Sequence, residues 1–272
     1  MAAGELTPAP RPARAVPGTP VFMYHVVKEG SGVGPADKYT VSPDQLRAHL
    51  GLVARHGFRL ARLGEVWSQP EAARSTPTAA ITFDDGEESH YARAFPVLGE
   101  AGGRADFFVN TATVGRPGFL SWSQIAEMQR AGHAFHSHSH DHVVLLGLGA
   151  AALRRQLRES KDVLEDRLGV PVQFLAAPYG LLNRRVVDVA REVGYRAVCT
   201  SASWPARPGA ATVSRMAIYP STSADEFVEL LRGRPGILVR RMARALAVSV
   251  PKRVVLRIQP RWLGVQVLEA GR

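Results

Sequence analysis

Thr82-Phe83-Asp84-Asp85-Gly86 places two adjacent carboxylates directly after the short apolar run Ala79-Ala80-Ile81. Further along, Gly132-His133-Ala134-Phe135-His136-Ser137-His138-Ser139-His140-Asp141-His142 crowds five histidines into one segment. One carboxylate with two imidazoles is a ligand set for a catalytic divalent metal that keeps positions open for water and substrate. The neighbouring carboxylate is then free to act as a base, and the combination points to metal-assisted hydrolysis. Both His136/His140 and His138/His142 have the i, i+4 spacing, so spacing alone leaves the pair open. Taken singly, an Asp-Asp pair before glycine is more often a solvated turn, and alternating histidines can be incidental surface metal affinity. Ser137 and Ser139 invite a serine nucleophile, but no Gly-x-Ser-x-Gly elbow frames them.

The elements that must position these groups alternate regularly. Pro20 to Val27 is an apolar run that reads as a buried strand, and further strands are expected at 79–83, 105–109, 133–137, 172–177 and 196–199. Helices are expected at 88–101, 121–131, 148–168 and 183–193, with Gly102-Gly103, Gly132, Gly169 and Gly194 at their ends. Ser42-Pro43-Asp44-Gln45 opens another helix, Ser42 as N-cap, Pro43 in the first turn and Gln45 completing a capping box. Strand followed by helix, repeated, argues for an α/β fold with a parallel sheet and crossover helices. Chemistry in such folds gathers at the carboxyl ends of the strands, where Asp84, Asp85 and the histidines fall. Phe22, Phe83, Phe107 and Phe108 read as core.

At 272 residues and 46% hydrophobic, the chain can bury one large core. A single cysteine, Cys199, excludes an internal disulfide and a thiolate zinc cluster. No apolar stretch is long enough to span a bilayer. The Pro/Ala leader, residues 1–18, reads as disordered and lacks an apolar signal region, so the expectation is a cytoplasmic protein. The net charge of +10 is unevenly placed: Arg232 to Arg272 holds ten Lys/Arg and one acid, leaving residues 1–231 at +1. The overall basicity is therefore no argument for nucleic-acid binding by the body of the chain.

The Thr-Phe-Asp-Asp-Gly string and the pattern Gly-His-x-x-x-Ser-His-Ser-x-x-His-x-x-Leu resemble the polysaccharide deacetylases of the NodB-homology type, carbohydrate esterase family 4. Ala177-Pro178-Tyr179-Gly180 is similar to a third block of that family. Met23-Tyr24-His25, Val41 to Leu46 and Leu164 to Gly169 resemble its bacterial members, in particular a subset with an early Tyr-His that deacetylates biofilm poly-N-acetylglucosamine. Several blocks in order make the resemblance specific. It covers a deacetylase-like domain at 19–231 and leaves a small basic C-terminal extension, 232–272, unexplained.

The resemblance implies a distorted (β/α)7-type barrel of parallel strands and a metal-dependent de-N-acetylase acting on N-acetylated amino sugars, with O-deacetylation a chemical neighbour. Carried over residue by residue, Asp85, His138 and His142 are the metal ligands, the anchors Gly132 and Leu145 selecting that histidine pair. Asp84 is the general base, and the Tyr179 backbone N–H, in the turn begun by Pro178, helps bind the oxyanion. His133, His136 and His140 are then expected around the site or at the surface. One divalent metal is implied; zinc suits the donors, and cobalt, nickel or iron suit them too.

There are departures from the family pattern. The arginine that orients the base is replaced by Ala176, so orientation must come from elsewhere or be looser. No histidine follows His142, which removes the usual late proton donor. His25 is expected to protonate the leaving amine instead, the plain alternative being a core histidine bonded to backbone. The late Asp and Trp are not recognisable beyond Trp204. These losses support a second reading, a weakened relative that binds saccharide or organises glycan assembly.

In the extension, Ile237, Leu238, Met242 and Leu246 around Arg240, Arg241 and Arg244 resemble a basic amphipathic helix, and 254–258 and 264–268 read as strands. The extension is expected to pack on the barrel or else to touch a peripheral membrane surface or polyanion. Loops 28–40 and 111–120 are placed to grip a sugar, without readable specificity.

Overall fold

The computed structural model describes residues 15–30, 38–70 and 73–244. Strands β1 (Val21–Tyr24), β5 (Thr78–Phe83), β6 (Asp106–Val109), β7 (Ala134–Ser137), β8 (Phe174–Ala176) and β9 (Ala197–Thr200) alternate with helices, as the sequence predicts. Shorter strands are β2 (Val26–Val27), β3 (Thr40–Val41), β4 (Arg59–Leu60), β10 (Thr212–Ser214) and β11 (Met216–Ala217). The main sheet runs β10-β9-β8-β7-β6-β5-β1-β11, with β4 added beside β5, and every pairing in it is parallel. The extended segment 212–217 pairs with β9 through its first half and with β1 through its second. That shared segment closes the sheet into a distorted barrel, and Arg215 stands at the changeover.

All six residues of β5 are buried, because a parallel barrel strand is covered on both faces. Alternation sorts its side chains. Ile81 and Phe83 belong to the layer between sheet and helices, whereas Ala80 and, two residues apart, Thr82 and Asp84 share the barrel interior with Phe108, Phe174, Ala176 and Cys199. The outer layer is completed by α1 (Pro43–Arg55), α3 (Phe95–Glu100), α4 (Trp122–Arg130), α5 (Ala150–Leu168), α6 (Arg184–Val193) and α7 (Ala224–Leu231). Helix α2 (Leu63–Ser68) plugs the amino end of the barrel: Leu63 N–H donates to Asp106 Oδ2 at 2.9 Å and Trp67 Nε1–H to Ala210 O at 2.9 Å. The active end is therefore the other one.

Two local expectations are corrected. The helix expected over 88–101 begins as a π-helical turn, His90–Ala94, and becomes α-helical only at Phe95. Pro96 explains the break, since it has no N–H to return to the preceding turn. The box expected at the start of α1 is only half formed. Ser42 Oγ accepts from Gln45 N–H at 3.0 Å, but the Gln45 side chain turns to the carbonyls of Tyr219, Pro220 and Thr222. The full reciprocal box appears instead at Ser121 and Gln124. Gly169 and Gly194, with φ of 67° and 102°, end α5 and α6 as the sequence predicts.

Of the leader, residues 1–14 lie outside the described residues, and Val16 N–H donates to Gly233 O at 2.9 Å. Of the extension, 235–244 are helical with Ile237 and Leu238 buried. Leu246 and the strands expected at 254–258 and 264–268 lie outside the described residues, as do 31–37 of the first loop. Among the described residues no helix is long and apolar enough to cross a membrane.

Candidate active site

Asp84 and Asp85 follow β5, His138 and His142 follow β7, Pro178–Gly180 follow β8, and His25 follows β1. Asp85 Oδ1 lies 3.3 Å from His138 Nε2 and 3.2 Å from His142 Nε2. His136 and His140, the competing pair, point elsewhere. His136 sits in the barrel interior with Nε2–H donating to Asp106 Oδ1 at 3.0 Å, and His140 Nδ1 meets Thr111 Oγ1 at 2.7 Å. His133 is buried among Phe95 and Phe107 and accepts from Ala105 N–H at 3.2 Å. His133 and His136 are thus core residues rather than surface ones, because inward and outward alternation along β7 takes both away from solvent.

Among the described residues, the non-glycine positions with positive φ are Asp85 (77°), Ser139 (66°), His142 (55°) and Tyr179 (61°), and all lie at this site. Such left-handed backbone costs energy for a side-chain-bearing residue and persists where surrounding bonds enforce it. The enforcement is visible. His142 N–H donates to Ser139 Oγ at 3.2 Å, and Ser139 N–H to Ser137 Oγ at 3.1 Å. Gln156 of α5 holds both the backbone N–H and the carboxylate of Asp141, at 3.1 and 2.6 Å. Asn110 Nδ2 donates to Asp85 O at 3.2 Å. Gly86 (φ 70°) lets the chain pass Val109, where an added Cβ would stand 3.0 Å from Val109 Cγ1.

His138 Nδ1 lies 2.9 Å from Ala176 O, and a carbonyl can only accept, so Nδ1 carries the proton. In the neutral ring Nε2 is then a lone pair aimed at a carboxylate oxygen. Acceptor facing acceptor at this range is repulsive unless a cation lies between them or the ring is protonated. Nitrogen and oxygen donors at about 2.0–2.1 Å from one tetrahedral centre stand about 3.3 Å apart. The observed 3.2 and 3.3 Å fit a shared divalent cation, and the Ala176 carbonyl is the outer partner that metal-bound imidazoles usually have. These three residues can hold a metal.

Asp84 is 2% exposed, and Arg215 grips both its oxygens, Nη1 to Oδ1 at 2.6 Å and Nη2 to Oδ2 at 2.7 Å. Burial alone would raise the Asp84 carboxyl, but the Arg215 charge, with His138 and the guanidinium bonds, holds it below the usual range. For Asp85, burial is likewise outweighed, here by the His138 and His142 bonds, which hold it well below. Burial opposes protonation of His138, but the charges of Asp84 and Asp85 raise it overall. Of the two outcomes that Ala176 left open, orientation from elsewhere is the one observed: an arginine from the β10–β11 changeover supplies the fork. Its sequence signal was a lone arginine in the apolar run Val213-Ser214-Arg215-Met216-Ala217, a buried charge that had to have a partner.

His25 follows β1, the strand paired with β5, and so stands beside Asp84. Its ring packs on Tyr39 with centroids 4.6 Å apart, and its Nδ1 is buried without a hydrogen-bond partner among the described residues. Burial lowers its pKa, partly offset by the Asp85 and Asp84 charges. A second residue missed in the sequence lies beneath it. His90 Nε2–H donates to His25 O at 2.5 Å, placed there by the π-helical turn, and no periodicity announces it. Tyr179 is 43% exposed, its ring 4.9 Å from that of His142, and Pro178 is buried at the start of the same turn.

The polysaccharide deacetylase profile matches residues 71–198. The poly-beta-1,6-N-acetyl-D-glucosamine N-deacetylase of Staphylococcus aureus (strain N315) is 25% identical over 190 residues, 64% of this chain and 66% of its own length. Among solved structures, IcaB from Ammonifex degensii superposes with a TM-score of 0.71 at 27% identity, covering 79% of this chain and 97% of that one. The Streptococcus pyogenes deacetylase PplD, solved in complex with acetate, shares the fold with a TM-score of 0.71 at 23% identity, covering 80% and 99%.

Proposed function

We propose that this chain, which belongs to the polysaccharide deacetylase family, is a metal-dependent hydrolase that removes acetyl groups from N-acetylated amino sugars. The observation that carries the reading is the convergence of Asp85 Oδ1, His138 Nε2 and His142 Nε2 beside a second carboxylate clamped by Arg215. Asp85, His138 and His142 would hold one divalent cation, zinc best matching the donor set, with cobalt, nickel or iron compatible. When bound, such a cation supplies Lewis-acid polarisation of the acetyl carbonyl and acidifies water.

The residues of the chain do the rest. Asp84, fixed in direction by the Arg215 fork and ionised across the physiological range, takes a proton from the attacking water. The Tyr179 N–H, in its left-handed turn after Pro178, donates to the oxygen on which negative charge develops. His25, at the end of the neighbouring strand, gives a proton to the departing amine. Acetate and a free amine result; an O-acetyl group would leave by the same route. The alternative of a weakened saccharide-binding relative leaned on Ala176 and on the missing late proton donor; Arg215 removes the first support, and the role given to His25 answers the second.

The test is acetate release from N-acetylglucosamine oligomers with metal added or chelated, beside Asp84→Asn. Release that needs metal and disappears in Asp84→Asn supports the reading. Release that survives chelation or this substitution sinks it.

A further inference from the structure

The C-terminal extension reaches back towards the site. Arg241, on the helical stretch 235–244, is 7% exposed and runs beneath the segment that follows β11. Its Nη1–H donates to Ala217 O at 2.5 Å, Nη2–H to Thr222 Oγ1 at 3.1 Å and Nε–H to Glu226 Oε1 at 2.9 Å. Its guanidinium carbon stands 5.3 Å over the centroid of the Tyr219 ring. On α1, Gln45 Nε2–H takes the carbonyls of Tyr219, Pro220 and Thr222 at 3.1, 3.3 and 3.3 Å. Residues 217–222 are thus clamped from two separate helices. A loop that merely linked β11 to α7 would not need that.

Tyr219 leads to the site. Its ring centroid is 5.4 Å from that of Tyr39, and the Tyr39 ring is 4.6 Å from His25. Both tyrosines are half-buried, and the Lys38 ammonium stands 5.5 Å from the Tyr39 ring centroid. After burial and Tyr219, the Asp85 charge contributes to raising the Tyr39 phenol, which puts that group within the field of the candidate metal ligand. Tyrosine combines an apolar face with a polar edge, the pairing a pyranose needs, since its C–H face is apolar and its rim is hydroxylated. The fork of arginine bonds three acceptors while its flat face lies on a ring, which lysine cannot do.

We propose that Arg241 of the C-terminal extension is a positioning residue that fixes Tyr219, and through it Tyr39, as an aromatic wall binding the sugar ring of the substrate beside His25. The wall rests on the deacetylase reading and gives the extension a part in substrate recognition.

The full chain is compared with Arg241→Ala, Arg241→Lys, Tyr219→Ala and Tyr39→Ala, on a β-1,6-linked N-acetylglucosamine pentamer and on 4-nitrophenyl acetate, which has no sugar ring. For Arg241→Ala, Tyr219→Ala and Tyr39→Ala, KM for the pentamer should rise about three- to tenfold with kcat within about twofold, the signature of lost uniform binding. Nitrophenyl acetate turnover should fall less than pentamer kcat/KM in each variant, and Arg241→Lys should fall between wild type and Ala. An unchanged pentamer KM, or equal losses on both substrates, overturns the wall. Should Arg241→Ala fail to fold, Tyr39→Ala carries the same test, since Tyr39 takes no part in the clamp. Pentamer affinity is also measured by calorimetry in the Asp84→Asn background. Binding there that weakens on adding Arg241→Ala, with no acetate release by wild type, sinks the hydrolase reading and keeps the wall. Binding unaffected by Arg241→Ala, or no binding, overturns the wall.

Discussion

Arg215 meets Asp84 as a two-pronged pair inside the barrel, 2.6 and 2.7 Å, with the guanidinium lying 4.8 Å over the Phe108 ring. The arginine comes from the changeover between β10 and β11, the carboxylate from the end of β5, so closing the barrel and orienting the Asp84 carboxylate are one structural event. Neither group is tolerable in this interior without the other.

Arg215→Ala therefore strands a buried carboxylate, at a stability cost of roughly 3–5 kcal/mol. Turnover should fall by about a hundredfold as the base loses its aim. Burial then dominates and pushes the Asp84 carboxyl up. A base must be ionised to work, so the acid limb of kcat/KM moves to higher pH. Arg215→Lys keeps charge but loses the fork, and should recover stability more than turnover. An acid limb that stays in place in Arg215→Ala would remove Asp84 from the base role.

Metal binding should be visible without any substrate. A cation held only by the folded chain stabilises it by about 2.7 kcal/mol when present at a hundred times its dissociation constant. Zinc should raise the melting temperature and a chelator reverse it. Asp85→Asn and His138→Gln should abolish the shift, whereas Asp84→Asn should keep it. Loss of the shift in His136→Gln but not in His138→Gln would transfer the site to the other histidine pair.

The barrel was legible because parallel strands covered on both faces appear as short apolar runs, as at Ala79-Ala80-Ile81 and Phe107-Phe108-Val109. Asp84, Asp85 and the histidines were legible as a constellation, but choosing His138/His142 over His136/His140 needed the resemblance. Geometry separates the pairs by depth, His136 lying within β7 against Asp106 and His138 just past the strand's end, and by two left-handed residues, Ser139 and His142, which spacing does not reveal. Arg215 and His90 were hidden for another reason. Each acts across a long sequence separation, on Asp84 and on the His25 carbonyl, so the local sequence names neither partner, even where the lone arginine in 213–217 signals that one must exist. Gln45 shows the opposite error: its local pattern predicted a box, and tertiary contacts with 219–222 outbid it.

His25→Gln should lower kcat by about a hundredfold on an N-acetyl sugar, within the usual range for a lost general acid. 4-Nitrophenyl acetate, whose leaving group needs no proton, should be affected far less. The acid form of His25 is lost as pH rises through its pKa, which burial sets below the ordinary imidazole value. The alkaline limb of kcat/KM should therefore vanish in His25→Gln. Equal losses on both substrates would return His25 to a purely structural role.

Stability should fall in mild acid, for a reason outside the site. His49, His90 and His133 are buried, and burial lowers each from 6.5 to about 4. Below 6.5 the unfolded chain takes up protons that the folded chain refuses until about 4. The stabilisation from neutral burial is thus full above 6.5 and lost as pH falls, by roughly 1–2 kcal/mol per histidine at pH 5. His138, shifted upward overall, works in the opposite sense, so the readout is a difference between variants. His49 stacks on Phe227 at 4.2 Å and bonds the Tyr24 hydroxyl at 2.9 Å. The double variant Tyr24→Phe/His49→Phe keeps the stack and leaves no orphaned hydroxyl. Its urea midpoint should drop less than that of wild type between pH 7.5 and pH 5; parallel profiles would show that His49 takes up its proton as readily in the fold as in the unfolded chain.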